Sequence, residues 1–264
     1  MKPKNKFNAP KIENETIEEL SLKLLKANEQ LKKEQKERAE MLSNISHDLR
    51  APLTAIRSAV DLLRSGQSLT MDDYVFSLNI IDRRTKNLEN LINDMYYLFC
   101  VEDTSKELVL QKVQVLPFLE EYFFDLEADS RYETKKLFFD APSDLKCQIN
   151  IDIQKMIRVL DNLMTNAAKY SYDGAAITLK AELSGANNLN ISVIDTGIGI
   201  PSEAIPHIFN RTYTVSSSRT PDSSTGSGLG LSIVKAIIER MSGEVTCESI
   251  EGAGSTFTIS LPVV

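Results

Sequence analysis

The stretch YVFSLNIIDRRTKNLENLINDMYYLF, residues 74–99, decides the first half of the fold. Its apolar positions Tyr74, Leu78, Ile81, Thr85, Leu88, Ile92, Met95 and Phe99 advance in alternating steps of four and three, which places them on one face of a long amphipathic helix. Working back toward the N-terminus, Ser65-Gly66-Gln67-Ser68 reads as a turn. Before it lies a second long helix. Its seam runs Ile17, Leu20, Leu24, Ala27 and Leu31, is interrupted by Glu34 and Arg38, and resumes at Met41 and Ile45. A stripe of different phase, Leu49, Leu53, Ile56, Val60 and Leu63, then suggests a packing adjustment near residues 42–49. Two helices joined by a short turn make an antiparallel hairpin, and one hairpin cannot bury both stripes. Two copies can, so the expectation is a homodimer built around a four-helix bundle.

Working forward, the pattern changes after Val101. Leu108 to Val113 hints at a short strand, Val115 to about Asp129 at a helix, and 136–139 and 148–151 at further strands. Ile153 to Tyr170 is helical, with Met156, Leu160, Leu163 and Ala167 on one side. Residues 176–183, 189–194, 244–250 and 256–261 alternate or run apolar, as strands of a sheet with one covered face do. The chain is therefore expected to be multidomain, a helical hairpin followed by an α/β sandwich, hinged near residues 102–106. The expected division is an N-terminal coiled-coil helix over 1–40, the hairpin over 41–104 and the α/β domain over 105–264.

Bulk properties narrow the function. The 264 residues are 42% hydrophobic and 25% charged, which are globular values. With 37 acidic against 30 basic residues and a net charge of -7, the surface is not built to neutralise a phosphate backbone, so nucleic acid is not expected as a partner. Apolar runs are far shorter than the roughly 20 residues that cross a bilayer, and no signal peptide is read at the start. Cys100, Cys147 and Cys247 have no metal-site or disulfide spacing and read as reduced core thiols of a cytosolic protein.

Four short segments carry chemistry. In the first, Ser43 to Thr54, His47 lies about 200° around the helix from the seam residue Leu49 and is expected to face solvent. Asp48 can hold one imidazole nitrogen and leave the other as nucleophile, and Pro52 removes the amide partner of the Asp48 carbonyl, so a kink is expected beside the histidine. In the second, Asn162 and Asn166 share a helix face with Lys169 close by and Tyr170 after it. Amide oxygens suit a hard cation and an ammonium suits phosphate. In the third, Asp195-Thr-Gly197-Ile-Gly199 ends a strand, where a carboxylate can accept a hydrogen bond from an exocyclic amine such as adenine N6. The fourth, Gly226-Ser227-Gly228-Leu229-Gly230, opens a helix whose first amides can face an anion. The intervening Pro201–Thr225, with Arg211 and Arg219, reads as a lid.

The order of these segments resembles the H, N, G1 and G2 boxes of two-component sensor histidine kinases, over residues 41–264. Asn14 to Leu31 also resembles the last helix of the HAMP signalling module, with Glu18 in place of its glycine. The resemblance implies a dimerisation and histidine-phosphotransfer bundle followed by the ATP-binding fold shared with gyrase, Hsp90 and MutL (the Bergerat or GHKL fold). Carried over by position, His47 is the phosphoacceptor and Asp48 its acidic helper. Asn166 holds Mg²⁺ with Asn162 in support, Lys169 reaches phosphate and Tyr170 flanks the nucleotide. Asp195 reads adenine, Gly197 and Gly199 make room for it, and Gly226, Ser227, Gly228, Leu229 and Gly230 lie under the phosphates with Arg219 in the lid. ATP is the phosphoryl donor and a response regulator is the partner. The implied location is the cytoplasmic part of a membrane-bound sensor.

Departures from the family pattern set further expectations. Ala51 replaces the usual Thr or Asn four residues after the histidine, which implies weak phosphatase activity. Thr212 and Thr214 stand where the lid usually has Phe and Arg, which implies looser closure. A gyrase-type hydrolase is disfavoured because Asn162 occupies the place of its catalytic glutamate and cannot take a proton. A non-catalytic nucleotide-switched scaffold is the remaining alternative, and His47 is the residue that separates the two.

Overall fold

The computed structural model describes residues 17–65, 69–103, 105, 107–185, 187–211, 213–215 and 228–264. Two compact units divide between Ser46 and His47. In the first, the described residues form one helical run in which Leu20, Leu24 and Leu31 are each more than half exposed. Among the described residues nothing covers that seam.

Helix α1, Ile17–Arg64, continues through Pro52 without interruption. Ser46 and Thr54, on either side of His47, each donate a hydroxyl to the carbonyl four residues earlier, at 2.8 and 2.9 Å. Helix α2, Met71–Glu102, starts at a complete capping box: Asp73 N–H donates to the Thr70 hydroxyl at 3.2 Å and Thr70 N–H donates to the Asp73 carboxylate at 2.9 Å. Along α2 the expected stripe is partly covered, with Tyr74, Leu78 and Ile92 exposed and Ile81, Thr85, Leu88, Met95 and Phe99 half-buried. The buried line is a different one, Leu91, Leu98 and Val101, and it packs against the α/β domain.

The α/β domain comprises β1 Gln111–Gln114, α3 Val115–Glu127, β2 Lys136–Asp140, β3 Gln148–Ile151, α4 Ile153–Lys169, β4 Ala176–Ser184, β5 Asn188–Asp195, α5 Gly230–Arg240, β6 Glu244–Ile250 and β7 Gly254–Pro262, with short 3₁₀ turns at Ser130–Tyr132 and Ile205–His207. Five strands form one sheet in the order β2-β4-β5-β7-β6. The β2–β4 pair is parallel and the others are antiparallel, while β1 and β3 form a separate ribbon. Alternation puts Ile177, Leu179, Ile191, Val193, Phe257 and Ile259 on the covered face. Met156, Leu160, Leu163 and Met164 of α4 and Ile233, Ile237 and Ile238 of α5 complete the core. The Asp152 side chain caps α4, accepting from Lys155 N–H, and also accepts from Val109 N–H, which ties the segment after α2 to the domain. All three cysteines are free thiols.

Candidate functional site

A cavity of about 630 Å³ opens where the C-terminal end of β5, the length of α4, the start of α5 and the middle of α2 meet. Its volume falls in the range of small-molecule sites, roughly 300–1,000 Å³. Asn162, Asn166, Lys169, Tyr170, Asp195, Gly199, Gly228 and Gly230 all line it. Three of the four separated segments therefore converge on one space.

At one end sits Asp195, the last residue of β5 and buried. Gly197 N–H donates to its Oδ1 at 2.8 Å, and Ile198 N–H donates to the Tyr170 carbonyl at 3.0 Å, which joins this turn to the end of α4. Gly199 has φ of +66°, and a Cβ there would stand 2.1 Å from the Ile250 carbonyl oxygen, so no other residue fits this turn. Burial pushes the Asp195 carboxyl above the ordinary carboxylate range, against the opposing hydrogen bonds from the Gly197 and Ser255 amides. A buried carboxylate beside apolar Ile198 can recognise a flat ligand bearing an amine.

Further along α4, burial lowers the pKa of Lys169, whose ammonium lies 5.0 Å from the centroid of the Tyr170 ring. The Asn162 amide nitrogen is buried with no hydrogen-bond partner among the described residues, and the place where a Cβ of Gly230 would stand is 3.3 Å from Asn162 Oδ1. A buried amide donor left over beside a lysine and a helix start is a group waiting for an anion. The residues fit a nucleotide with its cation: Asn166 can offer Mg²⁺ a hard oxygen. Among the described residues no cluster of three or more His, Cys, Asp or Glu side chains converges, so such an ion would draw its other ligands from phosphate and water.

His47 and Asp48 do not line this cavity. On α1 the His47 side chain is 76% exposed, and its Nδ1 lies 3.4 Å from Asp48 Oδ1. Solvent orientation and the pairing with Asp48 both follow the reading of the sequence. Leu229, carried over with the glycines, is fully buried and caps α5, its carbonyl accepting from Ile233 N–H and Ser232 Oγ, so its side chain packs the core. Arg219, Gly226 and Ser227 lie outside the described residues. In the lid segment, Phe209 packs edge-on against Phe257 with centroids 6.4 Å apart, and Arg211 donates to Glu102 of α2 at 2.5 Å.

Sequence reasoning passed over Arg131, Arg158, Asp161 and the α2 residues Asn87, Asn90 and Asp94, all of which line the cavity. Arg158 was reachable by stepping one turn back from Asn162 along the same face. The α2 residues gave no signal, since polar positions opposite an apolar stripe read as a solvated helix face.

Comparison with known proteins agrees with this arrangement. Residues 37–103 match the His Kinase A (phospho-acceptor) domain, and residues 151–264 match the histidine kinase-, DNA gyrase B- and HSP90-like ATPase domain. The chain is 32% identical over 259 residues to the sensor histidine kinase WalK of Bacillus subtilis (strain 168), covering 97% of this chain and 41% of WalK, so it spans about two fifths of that relative's length. Its fold is similar to that of histidine kinase ThkA solved in complex with response regulator protein TrrA (TM-score 0.66, 23% identity, 89% of this chain and 66% of that one). It is also similar to that of full-length ShkA in complex with AMPPNP (TM-score 0.60, 24% identity, 85% and 46%). With a phospho-acceptor hairpin and an ATPase-type domain in sequence, the chain belongs to the two-component sensor histidine kinases.

Proposed function

We propose that this chain transfers the γ-phosphoryl group of ATP to His47 and then passes it to an aspartate of a response regulator. The observation that carries the reading is one unit holding both a solvent-facing His47–Asp48 pair and a cavity lined by Asn162, Asn166, Lys169 and Asp195.

The chemistry follows from the residues. With Nδ1–H donating to Asp48, the Nε2 lone pair of His47 is free to attack the γ-phosphorus in line with the departing ADP oxygen. As the N–P bond forms and the P–O bond breaks, the ring becomes cationic, and Asp48 stabilises it and accepts the Nδ1 proton. Asp195 holds the adenine, Lys169 meets phosphate oxygens and the Asn162 amide donates to the same region. Bound Mg²⁺, with Asn166 as its protein ligand, supplies charge neutralisation at the phosphates. The loss of a water-positioning side chain at Ala51 makes dephosphorylation of the regulator slow.

The same reading assigns residues 1–40 to signal input, 41–104 to dimerisation and phosphotransfer, and 105–264 to ATP binding. It makes the protein a homodimer whose bundle docks the regulator near His47, as the ThkA–TrrA complex suggests by analogy. No helix among the described residues is long and apolar enough to cross a membrane. A cytoplasmic location follows from the chemistry, since ATP and the regulator are there.

Incubation with γ-labelled ATP and Mg²⁺ tests this. The chain should acquire acid-labile, base-stable label, and His47→Gln should acquire none. Equal labelling of the variant, or acid-stable label, overturns the proposal. Rapid loss of label from a phosphorylated regulator on adding the chain with ADP overturns the Ala51 reading.

A further inference from the structure

The cavity has a direction along α4. Tyr170 and Lys169 stand at the end joined to the Asp195–Gly197 turn. Asn166 and Asn162 follow at intervals of one turn, and Arg158, four residues before Asn162, is the next step on the same face. An adenine held at Asp195 therefore runs its phosphate chain toward Arg158, at the end of the cavity walled by α2.

Arg158 is already engaged there. One terminal nitrogen of its guanidinium donates to the carboxylate of Asp94 on α2, and the guanidinium carbon lies 5.5 Å from the centroid of the Tyr97 ring. Its Nε is buried and makes no hydrogen bond to the described residues. A planar fork with a spare buried donor, set beside a space that suits a triphosphate, is matched to phosphate oxygens as well as to a carboxylate.

We propose that Arg158 is a phosphate-contacting residue whose guanidinium is shared between bound nucleotide and α2, so that a triphosphate displaces Asp94 and nucleotide binding opposes docking of the ATP domain on α2. The inference rests on the nucleotide reading above and adds to it a residue and a coupling. Because linkage is reciprocal, a nucleotide that weakens the Arg158–Asp94 pair is itself held more weakly by that pair, so removal of Asp94 must strengthen nucleotide binding. Two further arginines grip the same end of α2, Arg240 through the Val101 carbonyl at 2.8 Å and Arg211 through Glu102, so the pair is one contact of a set and its exchange need not undock the domain outright.

Isothermal titration of the full chain with AMPPNP and Mg²⁺, and separately with ADP, provides the test. Asp94→Asn should bind AMPPNP roughly fivefold more tightly, and Arg158→Gln should bind it roughly tenfold more weakly, the order of one charge-assisted hydrogen bond. Both effects should be smaller with ADP. The double variant should match Arg158→Gln alone, because Asp94 acts through the guanidinium. An unchanged or weakened Asp94→Asn overturns the proposal. So does a gain that persists in the double variant, which would mark simple charge repulsion by Asp94. If Arg158→Gln does not fold, Arg158→Met takes its place. Hydrogen exchange of residues 94–102 in the unmodified chain should also rise on adding AMPPNP, and unchanged protection overturns the coupling. Failure of the unmodified chain to bind AMPPNP at all would instead sink the underlying nucleotide reading.

Discussion

Asp195 shows how a binding residue can work against the fold that carries it. Its carboxyl is buried and its pKa is raised, so the folded protein holds the proton more tightly than the unfolded chain. The sign follows directly. Stability tied to this group is present below the ordinary carboxylate pKa of about 4 and is lost as pH rises through the folded value. Ionising the buried side chain therefore costs stability, which the ligand-free protein bears. Asp195→Asn keeps an oxygen for the Gly197 amide and removes the buried charge. It should melt above the unmodified protein at pH 7, by a margin that narrows toward pH 4, while ATP affinity drops at least roughly tenfold because the acceptor for the adenine amine is gone. A lower melting temperature at pH 7 would show that Asp195 is there for structure. In the sequence this residue stood out only in company, since Asp-x-Gly-x-Gly at a strand end usually marks a plain turn and its order with the other three segments is what singled it out. Arg158 lies one turn before Asn162 on the same face, but an arginine on a polar helix face looks the same whether it meets water or lines a cavity, so its position alone did not single it out.

Among the elements, the strands of the α/β domain were readable from alternation, and the long helices from their three-and-four steps. Helix α2 was read only in part. Its obvious stripe is only partly covered in the single chain, with Tyr74, Leu78 and Ile92 exposed and the rest half-buried, and the line that docks the α/β domain, Leu91, Leu98 and Val101, is interleaved with it and too sparse to register as a second face. One helix with two partners blurs its own periodicity. The start of α2 was legible in kind, since Thr70 with Asp73 three residues later is a capping box written in sequence. Thr70→Ala removes the acceptor for Asp73 N–H and should cost about 1 kcal/mol in urea unfolding. Because the cap lies remote from the cavity, AMPPNP affinity should not change, and a loss of affinity beyond twofold would mean that the helix start is coupled to the site.

For the whole molecule, the exposed apolar positions of the two long helices bear on assembly. Leu53 on α1 and Leu78 and Ile92 on α2 are 52, 57 and 44% exposed, as are much of Tyr74 and Phe76. Leaving such rows in water forgoes roughly 1.5–3 kcal/mol per fully buried leucine-sized side chain, and isolated surface leucines are common whereas periodic rows at steps of three and four are not. The rows belong to the two helices of one hairpin, so a twofold pairing of hairpins covers both at once, the isologous arrangement that closes without leaving a spare copy of either face. The docking of the α/β domain through Leu98, Val101 and the arginines is centred roughly 110° around α2 from the stripe, so the exposed Tyr74, Leu78 and Ile92 lie off the docking line. Leu53→Glu with Leu78→Glu should therefore convert a dimer to a monomer in sedimentation velocity while AMPPNP affinity stays within about twofold, because the cavity is built within one chain. A monomeric unmodified protein at tens of micromolar, or a double variant that remains dimeric, would place the dimer contact elsewhere.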